Sequence, residues 1–108
     1  MNEESVVAVV TTVSSKEEAV DIADKVVSGR LAACGQISGP ITSHYWWKDE
    51  LCRETEWKVT MKTFQSLEAG LMGFIEEIHP YETAEIISFP VRVVSRSYSD
   101  WMAANLRG

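Results

Sequence analysis

What the chain lacks narrows its function before any motif is read. Lysine and arginine number 10 against 16 acidic residues, for a net charge of -6. Without a basic face to neutralise phosphates, the composition argues against nucleic-acid binding. No apolar run approaches the roughly 20 residues that cross a bilayer. The polar, acidic start Met1-Asn2-Glu3-Glu4-Ser5 lacks the basic opening and long apolar stretch of a secretory signal. The expectation is a cytoplasmic protein with no membrane partner. The only cysteines, Cys34 and Cys52, make no disulfide framework, although a single bridge between them stays open. No C-x-x-C or H-x-x-x-H spacing marks a tight zinc site, and no glycine-rich phosphate loop or G-x-S-x-G turn occurs. Catalysis is the function class with least support. Repeats, linkers and low-complexity segments are absent too.

What is there suits one compact domain over residues 1–108, with 1–5 expected as a disordered tail. Hydrophobic residues make up 45% and charged ones 24%, which is a globular balance. Val6 to Val13 is β-branched without alternation, the pattern of a strand covered on both faces. Ser14 and Ser15 each have a glutamate three residues on, a capping-box signature. The helix that follows carries Ala19, Ile22 or Ala23, Val26 and Val27 on one face, with Gly29 expected in a left-handed end position. Leu31 to Ile37 reads as a second strand, interrupted by Gly39-Pro40 and resumed from Ile41 to Trp47. Lys48-Asp49-Glu50 turns the chain back into Leu51–Thr63. There Thr55, Trp57, Val59, Met61 and Thr63 share one face, and Glu54, Glu56, Lys58, Thr60 and Lys62 the other. The two runs make a long antiparallel hairpin.

Phe64, Leu67, Leu71, Phe74 or Ile75, and Ile78 recur at helical spacing. Gly70 and Gly73 inside that helix each cost about 1 kcal/mol relative to alanine. They suggest close backbone packing or are simply tolerated. Ala84 to Val94 forms a fourth strand whose Pro90 belongs at an edge or bulge. Ser97 is expected to cap a last short helix carrying Tyr98, Trp101, Met102 and Leu106.

The order β-α-β-β-α-β plus a terminal helix specifies an α+β, ferredoxin-like sandwich: a four-stranded antiparallel sheet with two helices on one face. The first strand is apolar on both faces, however, and the hairpin shows Tyr45, Trp46 and Trp47. Self-association is the simplest way to bury what remains, with the hairpin reaching a neighbouring subunit and pairing edge to edge. The chain is therefore expected to be an obligate oligomer.

The segment Glu76 to Val91 groups the residues best placed for a site. Pro80 ends the second helix by His79, followed by Tyr81, Glu82 and Glu85. The negative end of the helix dipole is expected to favour a charged imidazole there.

Arg30-Leu31-Ala32-Ala33-Cys34, Tyr45-Trp46-Trp47, Met61-Lys62-Thr63, His79-Pro80-Tyr81-Glu82, Glu85 to Val91 and Tyr98-Ser99-Asp100-Trp101 fall in one order along nearly the whole chain. Together they resemble the CutA divalent-cation tolerance family. That resemblance implies a compact homotrimer with hairpins exchanging edge pairings, akin to the PII signalling trimers that hold small effectors in intersubunit clefts. It also implies a link to tolerance of copper and other divalent cations. In some members a cysteine ending the first strand and a His-His pair before the proline ligate copper. Here Thr11 and Ile78-His79 stand at those positions, so of that set only His79 remains. Asp49 stands where the hairpin turn usually has glycine. His44 and Cys52 match no family position and read as incidental.

Two site readings follow. Copper(II) binds imidazole and thiolate well, which nominates His79 and Cys34, with Glu82 or Glu85 as oxygen donors and no organic cofactor. The alternative for Cys34 is a small apolar side chain in a strand, and for His79 a helix-end or interface residue. Lys62, Tyr81, Glu82, Glu85, Trp47 and Trp101 are instead candidates to line an intersubunit cleft for a small polar or anionic effector. The bland counterpart is an interface network for Lys62 and Glu85, and packing for the tryptophans. The leading expectation is a non-enzymatic homotrimer binding Cu(II) or a related cation weakly. The alternative is a PII-like effector-binding or scaffold trimer in which metal binding is secondary.

Overall fold

The computed structural model describes residues 4–107. In chain order it contains β1 (Val6–Val13), α1 (Lys16–Ser28), β2 (Cys34–Trp47), β3 (Glu50–Phe64), α2 (Gln65–Ile78), β4 (Ile86–Val91) and α3 (Arg96–Asn105). The expected tail lies mostly outside the described residues. Its last two members are tied down: Gln65 N–H donates to Ser5 O and the Ser66 hydroxyl to Glu4 Oε2.

The four strands form one antiparallel sheet in the order β2-β3-β1-β4. Every residue of β1 is buried, as its unbroken apolar run requires. Val7, Val9 and Val13 pack with Val59 and Met61 against Ala19, Ile22 and Val26 of α1 and Leu71 and Ile75 of α2. Fully burying side chains such as Leu71 or Ile75 is worth about 1.5–3 kcal/mol each. Val6, of opposite parity, joins Phe64, Met102 and Leu106 in a second cluster. The helices therefore do not all lie on one face. The terminal helix α3 covers one end of the second face, because Met102 and Leu106 give it an apolar stripe of its own.

Several local expectations shift. Ser15, not Ser14, caps α1, accepting from Glu18 N–H, and both serine hydroxyls donate to the Glu18 carboxylate. Gly29 is right-handed and Arg30 takes the left-handed conformation with φ 60°. Arg30 is fixed there by the end of α3: its guanidinium donates to Asn105 O and its carbonyl accepts from Arg107 N–H. Leu31 and Ala32 belong to this turn, both bonding back to Val26 O, so β2 begins only at Cys34. Val27 is partly exposed rather than core. β4 is shorter than expected, and Pro90 lies on its edge strand, where no ladder donor is needed. Ser95, not Ser97, caps α3 by accepting from Tyr98 N–H. A Cβ at Gly73 would meet nothing within 4 Å and one at Gly70 only Leu31 at 3.9 Å. The two glycines of α2 are tolerated rather than needed for close packing.

β2 and β3 outrun the rest of the sheet. β3 pairs with β1 from Trp57 onward, whereas its pairing with β2 continues out to Trp47 opposite Glu50. The register slips between Ser38 and Ile41, as Gly39-Pro40 foretold. At the tip Lys48 and Asp49 both have positive φ, 49° and 64°, and make a two-residue turn with Glu50 already in the strand. At about 3.4 Å per residue, the unsupported part of the hairpin projects roughly 20 Å. We call it the arm.

Candidate functional site

Helix α2 ends at His79, whose extended backbone leads into the turn before β4. The imidazole is 9% exposed. Its Nε2 lies 3.0 Å from both Thr11 Oγ1 and Thr12 O, and Tyr81 N–H donates to Nδ1 at 3.0 Å. These partners decide the tautomer. A backbone carbonyl only accepts, so Nε2 carries the hydrogen, and Nδ1 must offer its lone pair to Tyr81. The Thr11 hydroxyl donates to Glu85 O at 2.7 Å and so presents a lone pair to His79. One chain of hydrogen bonds thus ties the end of β1 to the 79–85 turn.

Burial lowers the His79 pKa below the ordinary histidine value, and the bond to Thr12 O pulls the other way with less effect. The helix-dipole expectation of a favoured imidazolium is therefore corrected. Protonation would place a second N–H against that of Tyr81. The Tyr81 ring meets the His79 ring edge-on at 5.0 Å, and its hydroxyl donates to Glu56 Oε2 at 2.8 Å. Burial first, then the Glu56 carboxylate, raise the Tyr81 phenol well above its usual value, so it stays a donor.

The resemblance to copper-binding members pairs positions 11 and 79, and the structure brings these two together. Ile78 packs partly buried against the helix-side core. Cys34 lies elsewhere, opposite Lys62 at the start of β2, with its Sγ 3.7 Å from the Tyr98 hydroxyl. Burial and this thiol contact raise the Tyr98 pKa. Both cysteines are free thiols. Among the described residues no group of three or more His, Cys, Asp and Glu side chains is placed to hold a metal ion.

The cleft candidates are dispersed within one chain. Tyr81, Glu82 and Glu85 share the turn, with Glu82 and Glu85 exposed. Lys62 Nζ donates to Gln36 Oε1 at 2.6 Å on the second face. Trp101 sits beside Tyr98 on α3, ring centroids 5.4 Å apart. Trp47 is at the arm tip with the Lys48 ammonium 5.7 Å from its ring centroid. Sequence reasoning missed Glu56 as a partner of the turn. It is only 7% exposed, yet it belongs to the polar alternation of β3, which carried no sign of its burial.

A four-stranded sheet with a projecting arm, closed at one end by a histidine-locked turn, defines a small α+β protein. The family model for the CutA1 divalent ion tolerance protein matches residues 7–105. The chain belongs to that family. A probable divalent-cation tolerance protein cutA homolog of Encephalitozoon cuniculi is 45% identical over 88% of this chain and 82% of its own length. The human protein CutA is 39% identical over 91% of this chain, but the match spans only 55% of the human protein. The crystal structure of CutA1 from Oryza sativa superposes with a TM-score of 0.92 at 30% identity, covering 96% of this chain and 95% of that one.

Proposed function

We propose that this chain serves divalent-cation tolerance as a non-enzymatic, ferredoxin-like homotrimer of PII type, in which the assembly and its intersubunit clefts carry the function and metal binding is secondary. The observation that carries this reading is the state of His79. Both ring nitrogens are already committed, one to a backbone N–H and the other to a backbone carbonyl. A cation at His79 would have to displace one of these and leave a buried backbone group unpaired, at a cost of about 1–3 kcal/mol. Thr11 compounds this, because a hydroxyl that braces the imidazole stands where some members have a thiolate.

The competing reading is weak Cu(II) binding through His79 and Cys34. Within one chain these two residues lie on different parts of the sheet, and both ring nitrogens of His79 are already engaged. Exposed Ile87 and Phe89 on the second face, and the exposed arm, support self-association. Dispersed within one chain, Lys62, Trp47 and Trp101 can meet Tyr81, Glu82 and Glu85 only across subunits. A cytoplasmic location is part of the proposal, supported by two cysteines that stand as free thiols, as a reducing compartment would keep them.

Calorimetric titration of the purified protein with Cu(II), beside His79→Ala and Cys34→Ser, tests the reading. The expected result is that neither substitution changes cation binding, while His79→Ala lowers stability. A saturable copper site abolished by His79→Ala with the native mass unchanged would overturn it.

A further inference from the structure

We propose that the groove between α1 and α2, on the helical side of the sheet, is a binding site for a short zwitterionic peptide with an apolar side chain. The two helices run antiparallel. Leu31, just past the end of α1, faces Gly70 early in α2, and the start of α1 meets Ile78 and Pro80 at the end of α2. The groove along residues 69–77 has a volume of about 570 Å³. That is within the range of small-ligand sites.

Its free charges stand at opposite ends. Arg107 closes the groove beside the end of α1, where its Nε donates to Gly29 O at 2.7 Å and its main-chain N–H to Arg30 O at 3.0 Å. The two terminal guanidinium nitrogens of Arg107 have no partner among the described residues, and at the far end neither has the Glu77 carboxylate. Lys25, on the facing wall, is already paired with Asp21 at 3.0 Å. From Gly70 to Glu77 the helix rises about 10 Å, and an extended chain of three residues spans about the same. The carboxylate of such a peptide meets the Arg107 fork, and its ammonium meets Glu77. Between the two ends the lining is apolar, with Leu31 and Phe74. Glycine is unfavourable inside a helix, yet a Cβ at Gly73 would meet nothing within 4 Å and one at Gly70 only Leu31. Neither glycine answers a packing need within the chain. What their missing side chains leave is room beside Leu31 and Phe74 for an apolar side chain of the ligand.

The test is titration of the ¹⁵N-labelled full chain with the tripeptide alanyl-leucyl-alanine, followed by amide ¹⁵N–¹H spectra. Saturable shifts are expected for the Gly70, Gly73 and Glu77 signals. The same peptide acetylated at its N-terminus and amidated at its C-terminus should bind about tenfold more weakly, and Arg107→Gln and Glu77→Gln should each weaken binding of the free peptide about threefold. Gly73→Leu should abolish binding by filling the groove. Leucine is the better helix former, so the melting temperature of that variant should not fall, which separates a blocked site from a damaged fold. Wild type that shows no saturable shift up to the solubility of the peptide overturns the site. Gly73→Leu that binds like wild type overturns the groove as its place, and a capped peptide bound as tightly as the free one overturns the zwitterionic class.

Discussion

The root of the sheet and its arm are made from the same two strands, yet they obey different rules. Toward the root, Val59, Met61 and Thr63 alternate inward beneath two helices and are fully or nearly buried. Past Trp57 the same strand has only β2 beside it, and Leu51 and Trp46 stand open, Trp46 at 72% exposure. A two-stranded ribbon alone is marginally stable in water. The root is held by its own chain, and the arm is the part that the proposed homotrimer would bury. Burial is complete in one region and left open in the other, and on the proposed homotrimer that difference separates what folds the monomer from what assembles it.

Substitutions should split along that line. The largest loss is expected in the root: Leu71→Ala, at a fully buried position, should cost about 2–5 kcal/mol in urea unfolding at every protein concentration. Next comes the brace between β1 and the turn. Thr11→Val keeps the shape but leaves Glu85 O and part of the His79 N–H without a partner, at a cost of about 1–3 kcal/mol in the same assay. Trp46→Ser should scarcely change unfolding of the dissociated chain, within about 0.5 kcal/mol. It should instead lower the melting temperature of dilute samples more than that of concentrated ones. An effect of Trp46→Ser independent of concentration would erase the distinction between arm and root.

The pH dependence sharpens the same picture. His79 has a folded pKa below its unfolded value near 6.5, so the unfolded chain binds the proton more readily. Its contribution to stability is present above that unfolded value and is lost as pH falls through the folded one. Urea midpoints measured from pH 7.5 down to 5 should decline for wild type and decline less for His79→Gln. The smallest effect belongs to the exposed Lys25–Asp21 pair, 3.0 Å apart across one helical turn. Asp21→Asn should shift stability by no more than about 0.5 kcal/mol.

Much of this was legible in the sequence because periodicity reports burial directly. The β1 run, the alternation of β3, the stop at Pro80 and the slip at Gly39-Pro40 all read through to the structure. The errors fall where a distant partner outranks local preference. Gly29 was the natural left-handed residue, but the end of α3 holds Arg30 there instead. The dipole at the end of α2 suggested a charged His79, but burial, together with the Tyr81 N–H that Nδ1 must accept, favours the neutral ring. Glu56 looked like one more solvated carboxylate until Tyr81 arrived from 25 residues away. The candidate site suffered most, since the meaning of His79 depends on what fills its two nitrogens.

That point is directly measurable. Long-range ¹⁵N–¹H correlation spectra of the His79 ring, recorded at neutral pH with and without the diamagnetic ion Zn(II), report which nitrogen carries hydrogen and whether either meets a metal. Hydrogen is expected on Nε2, with Nδ1 unprotonated and neither signal moving as Zn(II) is added. A saturable shift of either ring nitrogen on adding Zn(II), in folded protein of unchanged mass, would contradict it and return His79 to the cation.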